Sequence, residues 1–222
     1  MINALYIDIG TRFTKIKCNN QITTLENKKL NFSLFDDKSQ LFISSVSEEI
    51  SKKIPDRAHV FSSKKKYKSL INGYDDPSQL GVDRWMGLIA CYEKTKDSGF
   101  ILIDVGTAIT LDIVNRNHQH MGGLIMPGIN FLCETFPNFI FNSTNVCCEL
   151  GKNTTDAWSN GVLGMMVHSI NHYLSIFIKD EDYQILLTGG NAELLSRHIV
   201  HPFKIYENLV LDGIEYSSKY MR

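Results

Sequence analysis

The stretch Phe100-Ile-Leu-Ile-Asp-Val-Gly-Thr-Ala-Ile-Thr-Leu-Asp-Ile-Val114 consists of an apolar strand, an Asp-x-Gly-Thr turn and a second strand. The carboxylate of Asp104 stands at the strand end, and Gly106 permits a turn that other residues would strain. Thr107 adds a hydroxyl and an amide. Such a loop can hold a cation and phosphate oxygens together. The stretch therefore predicts a phosphate loop on a β-hairpin.

The same pattern occurs once before, in Leu5–Ile16, 96 residues earlier. In it Asp8, Gly10, Thr11 and Thr14 align with Asp104, Gly106, Thr107 and Thr110. Two matches in the same hydrophobic frame predict two similar domains that face each other across a cleft. Two acidic phosphate loops predict a nucleotide between these domains.

Composition restricts the possible partners and the compartment. The chain has 222 residues and a net charge of −1, so bulk electrostatics favour neither nucleic acid nor a membrane surface as a partner. We find no long apolar run and no signal-type N-terminus, and we therefore expect a cytoplasmic protein. The five cysteines are an odd number without metal-type spacing, and we expect reduced thiols.

Apolar spacing and turn residues predict the main elements. We expect strands at Ile2–Asp8, Phe13–Cys18, Leu41–Val46, His59–Phe61, Gln184–Thr188 and Leu209–Leu211, and helices at Met86–Lys96, Thr154–Lys179 and the C-terminus. In the long helix one face, which we interpret as core or a dimer seam, carries Val162, Met165, Met166, Ile170, Tyr173 and Phe177.

The segment Gly81-Val-Asp-Arg84 stands at a predicted helix start. Asp83 fits a helix cap or a first-turn acid there. An adjacent Asp and Arg also form a unit in which the carboxylate accepts a proton and the guanidinium grips an anion. Position alone leaves both interpretations open.

The remaining motifs can each be explained either by local structure or by a functional role. The glycines of Gly122–Gly128 and Gly189–Gly190 either shape turns or let a ligand approach the backbone. His168 and His172 have the spacing of a metal pair but lack the Glu of zincins, and we expect surface or interface residues. The basic run Ser62–Lys68 is expected to be a solvated loop.

In their order these motifs resemble the type III pantothenate kinases of bacterial coenzyme A biosynthesis, within the acetate kinase, sugar kinase, Hsp70 and actin superfamily. The resemblance spans nearly the whole chain. The segments that carry it are Asp8–Lys15, Gly81–Arg84, Asp104–Ala108, Gly122–Gly128, Thr154–Gly161 and Gly189–Gly190.

The resemblance implies an α/β fold of two ribonuclease H-like (actin-like ATPase) domains, residues 1–98 and 99–222, with mixed sheets, flanking helices and a cleft between them. It implies transfer of the ATP γ-phosphoryl group to pantothenate, giving 4′-phosphopantothenate. Mg²⁺ with ATP and a monovalent cation, K⁺ or NH₄⁺, are the implied cofactors, and a homodimer is the implied assembly.

The resemblance also implies roles for individual residues. Asp83 would be the catalytic base, and Asp104 would bind the monovalent cation. Pantothenate would be surrounded by Tyr74, Gly81, Val82, Asp83, Arg84 and Thr154. ATP would be held by Asp8, Ile9, Gly10, Thr11, Arg12, Phe13, Thr14, Lys15 and Thr107.

The first loop departs from the family pattern. The family usually has Asp-x-Gly-Asn-Thr, whereas this chain has Asp8-Ile-Gly-Thr-Arg12. We hypothesise that Thr11 has the same role in the first loop as Thr107 in the second, and that Arg12 or Lys15 provides positive charge near the phosphate groups. The alternative is that Arg12 points into solvent, since the strand register is unknown.

Three other functions are compatible with the fold. A kinase for a sugar or acetate is disfavoured by the Gly81–Arg84 segment and the small size. A catalytically silent regulatory relative would suit the altered first loop but not the intact Asp83, Arg84, Asp104 and Thr107. An actin-like filament protein would need a polymerising surface, which no sequence feature reveals.

Overall fold

The computed structural model describes residues 3–96, 98–144, 146–178 and 183–221, and the chain forms two compact units. The first unit comprises Met1–Lys96, Asn117–Gly122 and Asn208–Arg222, and the second comprises Asp97–Arg116 and Gly123–Glu207. The predicted domains, 1–98 and 99–222, are continuous in sequence. The units are not, because the segment Asn117–Gly122 and the C-terminal segment Asn208–Arg222 belong to the first unit.

The first unit is built on a five-stranded sheet of order β3-β2-β1-β4-β5. Its strands are β1 (Ala4–Ile9), β2 (Phe13–Cys18), β3 (Gln21–Glu26), β4 (Gln40–Ser45) and β5 (His59–Val60). Neighbours among β1, β2 and β3 are antiparallel, whereas β4 is parallel to β1 and β5 to β4. Because side chains alternate along a strand, Leu5, Ile7 and Ile9 share one face and join the core there.

Two helices of the first unit, α2 (Val82–Thr95) and α6 (Leu209–Tyr220), pack closely against each other. A Cβ atom on Gly213 of α6 would come within 1.9 Å of the Met86 carbonyl oxygen, so this approach requires glycine. The remaining elements of the unit are helix α1 (Glu48–Ser51), strands β6 (Lys66–Tyr67) and β7 (Leu70–Ile71), and the 3₁₀ turns Asn27–Lys29, Phe32–Leu34 and Pro77–Gln79.

An ion cluster joins α6 to β2. Lys17 lies 2.7 Å from Glu215 and 3.3 Å from Asp212, and Lys94 of α2 lies 3.0 Å from Asp212. Burial alone would raise the pKa of Glu215, but hydrogen bonds and charges from Lys17 and Lys219 lower it. These pairs therefore contribute stability at neutral pH that is lost as the pH falls through the lowered pKa.

The second unit repeats the same topology. Its sheet has the order β10-β9-β8-β11-β12, which is the order of the first sheet in corresponding strands. The strands are β8 (Phe100–Val105), β9 (Ala108–Val114), β10 (His120–Pro127), β11 (Gln184–Thr188) and β12 (Phe203–Ile205), and the helices are α3 (Ile129–Thr135), α4 (Thr154–Phe177) and α5 (Ala192–Ser196). The core lies between the sheet and the buried face of α4.

The structure confirms the predicted α/β class, with two mixed five-stranded sheets and flanking helices. The predicted hairpin Phe100–Val114 is β8 and β9. The strand predicted at Leu209–Leu211 is wrong, because these buried residues form the first turn of α6. Most of Gly122–Gly128 is strand β10 rather than a turn. The predicted end residues Ile2 and Lys179 lie outside the described residues.

The buried face of α4 differs in part from the predicted one. Val162, Met166 and Ile170 are buried as expected, whereas Met165 is 51% exposed and Phe177 is 38% exposed. The buried stripe continues instead through Leu163, Val167 and Leu174.

Within the described part of the chain, no helix has the length and apolar character needed to cross a membrane.

Candidate active site

The first of the two predicted phosphate loops lies in the first unit, on the β1–β2 hairpin. The amide of Gly10 donates to the Phe13 carbonyl at 3.0 Å, which closes the turn. Lys15 stands directly opposite Asp8 across the two strands, and Thr14 stands opposite Ile9. Residues paired in this way share one face of the sheet. The register therefore places a lysine beside the loop carboxylate.

The second predicted phosphate loop lies in the second unit and is one residue shorter. Here the amide of Gly106 donates to the Ala108 carbonyl at 3.0 Å, and Thr110 stands opposite Asp104. Thr14 and Thr110, which align in sequence, are therefore not equivalent in register. In the first loop Lys15 occupies the position that corresponds to Thr110, because the first turn contains one additional residue.

Asn27, which sequence reasoning missed, clamps the first loop. Its side-chain amide donates to the Gly10 carbonyl at 2.8 Å, and its side-chain oxygen accepts from the Thr14 hydroxyl at 2.8 Å. Its backbone N–H donates to the Arg12 carbonyl at 2.9 Å. Three bonds from one residue fix the turn. A single Asn after a strand gives no sequence signal for this role.

Two glycines from distant motifs pack against the backbone of the second loop. A Cβ atom on Gly128 would lie 2.4 Å from the Thr107 carbonyl oxygen, and one on Gly189 would lie 2.5 Å from Asp104 Oδ1. Gly189 also has a φ of +98°, which L side chains rarely adopt. Asn191 donates its backbone N–H to the Val105 carbonyl at 3.1 Å. The Pro-Gly and Gly-Gly motifs thus support the Asp104 loop.

Each loop carboxylate has a hydroxyl residue on the neighbouring parallel strand. Ser44 of β4 is in register with Asp8, and Thr188 of β11 is in register with Asp104. Both are buried, and the Ser44 hydroxyl has no hydrogen-bond partner among the described residues. The sequence did not identify either residue, because their role depends on pairing between distant strands.

The predicted acceptor residues other than Thr154 lie at or near the start of α2 in the first unit. Gly81 is the N-cap, and Asp83 lies in the first turn, where its Oδ1 accepts the Arg84 N–H at 2.7 Å. A Cβ atom on Gly81 would lie 2.6 Å from that Asp83 oxygen, so a side chain there would displace the carboxylate. The buried Arg84 donates from Nη1 to the Tyr74 hydroxyl at 2.9 Å.

Asn72 holds the Tyr74 segment in place. It is fully buried, and its side-chain oxygen accepts the Tyr74 N–H at 3.0 Å. Its amide donates to the carbonyls of Lys64 and Pro77, both at 3.3 Å. Nearby, hydrogen bonds from the Ser78 hydroxyl and N–H lower the pKa of exposed Asp76.

Thr154, predicted to contact pantothenate, lies in the second unit as the first residue of α4. Its helix is capped by Asn153, whose side-chain oxygen accepts the Asp156 N–H at 2.9 Å. Thr154 itself is exposed. Thr107 and Asp104 also belong to the second unit, so the predicted site residues are divided between the units.

The remaining motifs have local structural explanations. His168 and His172 are both exposed, and His168 Nδ1 contacts its own helix at the Gly164 carbonyl. Among the described residues no group of three or more His, Cys, Asp or Glu side chains could hold a metal ion. The five cysteines are free thiols. Lys68 of the basic run pairs with Glu93.

Comparison with known proteins identifies the fold and the family of the chain. The repeated sheet with an acidic loop at each first hairpin defines an actin-like ATPase fold. A Campylobacter jejuni structure described as a Baf family transcriptional activator has the same fold, with a TM-score of 0.67, 24% identity and 98% of each chain covered. The family model for type III pantothenate kinase matches residues 12–175. The chain belongs to this family.

Individual relatives show how much of the chain matches. The type III pantothenate kinase of Chromohalobacter salexigens is 36% identical over 152 residues, which are 64% of this chain and 54% of that protein. This chain thus matches only about half the length of that relative. The Colwellia psychrerythraea type III pantothenate kinase is 28% identical over 95% of this chain and 98% of its own length.

Proposed function

We propose that the protein transfers the γ-phosphoryl group of ATP to the primary hydroxyl of pantothenate. The observation that carries the proposal is the arrangement at the start of α2, where Asp83 stands beside the hydrogen-bonded pair of Arg84 and Tyr74. A carboxylate beside a guanidinium suits an acceptor that must lose a proton and carries an acid group. Family membership supports the same reaction.

Each group has a proposed role. Asp83 accepts the hydroxyl proton, while Arg84, Tyr74, Gly81, Val82 and Thr154 bind pantothenate. The first loop, Asp8–Lys15, and Thr107 of the second loop bind ATP. Phosphoryl transfer requires mainly positioning and charge neutralisation, which carboxylates, loop amides and lysine can supply. Lys15 beside Asp8 adds the positive charge that Thr110 does not supply in the second loop.

We propose Mg²⁺ with ATP and a monovalent cation at Asp104. The loop offers oxygen ligands of the kind that a hard cation prefers, namely the Asp104 carboxylate and the backbone carbonyls of Gly106 and Thr107. Gly128 and Gly189 pack directly against this loop, because a Cβ atom at either position would clash with it. A cation bound there would offset the negative charge of the carboxylate and phosphates.

The cation proposal predicts a salt effect. Replacing K⁺ by Na⁺ at equal ionic strength is expected to lower the rate, and Asp104→Ala is expected to abolish the difference between the two salts. The measurement is the initial rate of ADP release in each salt, with NH₄⁺ as a third condition. Equal wild-type rates in K⁺ and Na⁺ would contradict a selective cation site.

The altered first loop leads to a prediction about Arg12. This residue is half-buried at the turn, and its carbonyl is held by Asn27. If its guanidinium binds phosphate, Arg12→Ala should raise the KM for ATP by roughly tenfold, or about 1.4 kcal/mol. The KM for pantothenate should stay near the wild-type value. An unchanged KM for ATP would rule out a phosphate-binding role for Arg12 and leave Lys15 as the positive charge in this loop.

The reaction itself is tested by coupled detection of ADP release with and without pantothenate. Pantothenate-dependent release supports the proposal, and mass spectrometry should show 4′-phosphopantothenate. Release with a sugar or acetate instead would indicate a different kinase on this fold. No release with any acceptor would favour the catalytically silent alternative.

We further propose that the protein forms a homodimer. The second unit exposes many large apolar side chains, a property typical of protein interfaces. Among them are Ile125, Phe131, Phe136, Ile140, Leu150, Met165 and Ile176. Light scattering should give the mass of two chains, and the mass of one chain would contradict the dimer. We also propose that the protein is cytoplasmic. The proposed use of ATP and the five free cysteines support this compartment.

A further inference from the structure

His120 is a buried residue outside the motifs that predicted the site. It is the first residue of β10, a strand whose residues up to Gly122 are assigned to the first unit, and its side chain is only 2% exposed. The imidazole stacks on the ring of Tyr74, with 5.9 Å between ring centroids and 13° between ring planes. Sequence reasoning did not select this residue, because it lies 46 positions from Tyr74.

Tyr74 in turn contacts Arg84 in two ways. The guanidinium carbon of Arg84 lies 5.6 Å from the Tyr74 ring centroid, and Nη1 donates to the Tyr74 hydroxyl at 2.9 Å. A guanidinium held by both a hydroxyl and a ring has less rotational freedom than one held by a single bond. His120, Tyr74 and Arg84 thus form a continuous row of contacts, here called the acceptor column.

The backbone fixes His120 against the Tyr74 segment. A Cβ atom on Gly73 would come within 1.7 Å of the His120 carbonyl oxygen, so the two backbones pass at the distance that only glycine permits. Gly122, two residues after His120, has a φ of +107°, and the fully buried Asn72 anchors the Tyr74 N–H. Close backbone packing beside His120 and the buried hydrogen bond to Tyr74 therefore hold the two rings in the stacked geometry.

We propose that His120 is a positioning residue of the acceptor site, which orients the Tyr74 ring and, through it, the Arg84 guanidinium that receives the acid group of the substrate. The proposal rests on the proposed pantothenate kinase function. The imidazole does not act on the reacting atoms. Its removal should therefore weaken acceptor binding and leave the chemical step and the ATP site unchanged.

The test compares His120→Ala with His120→Phe in the full chain. His120→Ala should raise the KM for pantothenate by about tenfold, which corresponds to about 1.4 kcal/mol and lies within the range for aromatic pairs. The kcat and the KM for ATP should stay within about twofold of wild type. His120→Phe keeps a stacked ring and should restore most of the affinity for pantothenate.

A neighbouring histidine provides the matched control. His118 contacts Ser69, Tyr92 and the Lys96 carbonyl rather than the acceptor column. It has a φ of +59°, so His118→Asn is the suitable variant, because Asn tolerates this conformation. Its KM for pantothenate should match that of wild type.

The outcomes separate the two proposals. An active wild type whose KM for pantothenate is unchanged by His120→Ala overturns the positioning role alone. A parallel loss in kcat and in affinity for both substrates also overturns it, because that result indicates general misfolding. If His120→Ala does not fold, His120→Phe and His120→Gln carry the same comparison. A wild type without pantothenate-dependent ADP release overturns the proposed function and this inference with it.

Discussion

Asp83→Asn is expected to lower kcat by about 10²- to 10⁴-fold, which is the usual cost of losing a general base. The amide preserves the shape of the carboxylate and can still accept the Arg84 N–H, so α2 should start at the same residue. It cannot take a proton from the substrate hydroxyl. Single-turnover kinetics and calorimetric binding of pantothenate should therefore separate a lost chemical step from retained affinity.

Asp76→Asn is the matched control for this substitution. Asp76 is an exposed acid that caps the turn Pro77–Gln79, and Asn is an equally good cap. Its kcat should remain within about twofold of wild type, as expected for a surface change. If folded Asp83→Asn kept more than about a third of wild-type kcat, Asp83 would be only a first-turn acid of α2 and not the base.

Gly189→Ala is expected to destabilise the second unit and disturb the Asp104 loop. The new Cβ atom would lie 2.5 Å from Asp104 Oδ1 and 2.6 Å from the backbone of Val105, at a φ of +98°. Backbone strain and overpacking together should cost about 3 kcal/mol. This should lower Tm by roughly 6 to 12 °C in a chain of this size. Differential scanning calorimetry measures the shift.

Gly190→Ala provides the control one residue away. A Cβ atom there would meet nothing within 4 Å. Its free energy of unfolding should therefore stay within about 0.5 kcal/mol of wild type. Equal Tm values for the two variants would contradict the close packing of Gly189 on the second loop. Loss of the K⁺ response in Gly189→Ala alone would connect this packing to the proposed cation site.

Local sequence patterns predicted the elements that depend on neighbouring residues. The hairpin Phe100–Val114, the start of α2 near Gly81 and the start of α4 at Thr154 follow from apolar spacing, glycine and capping chemistry. The segment Leu209–Leu211 was predicted as a strand because three apolar residues in a row fit either element. The helix forms because α6 packs on α2, with Gly213 against Met86.

The sequence by itself determined two acidic loops, 96 residues apart, and the residue types that the proposed phosphoryl transfer needs. Only the tertiary structure decided which side chains accompany those loops. One additional residue in the first turn places Lys15, rather than Thr14, at the position of Thr110. Strand pairing brings Ser44 and Thr188 beside the carboxylates, and close backbone packing brings His120 onto Tyr74. Such contacts join residues far apart in the chain, and local spacing does not encode their register.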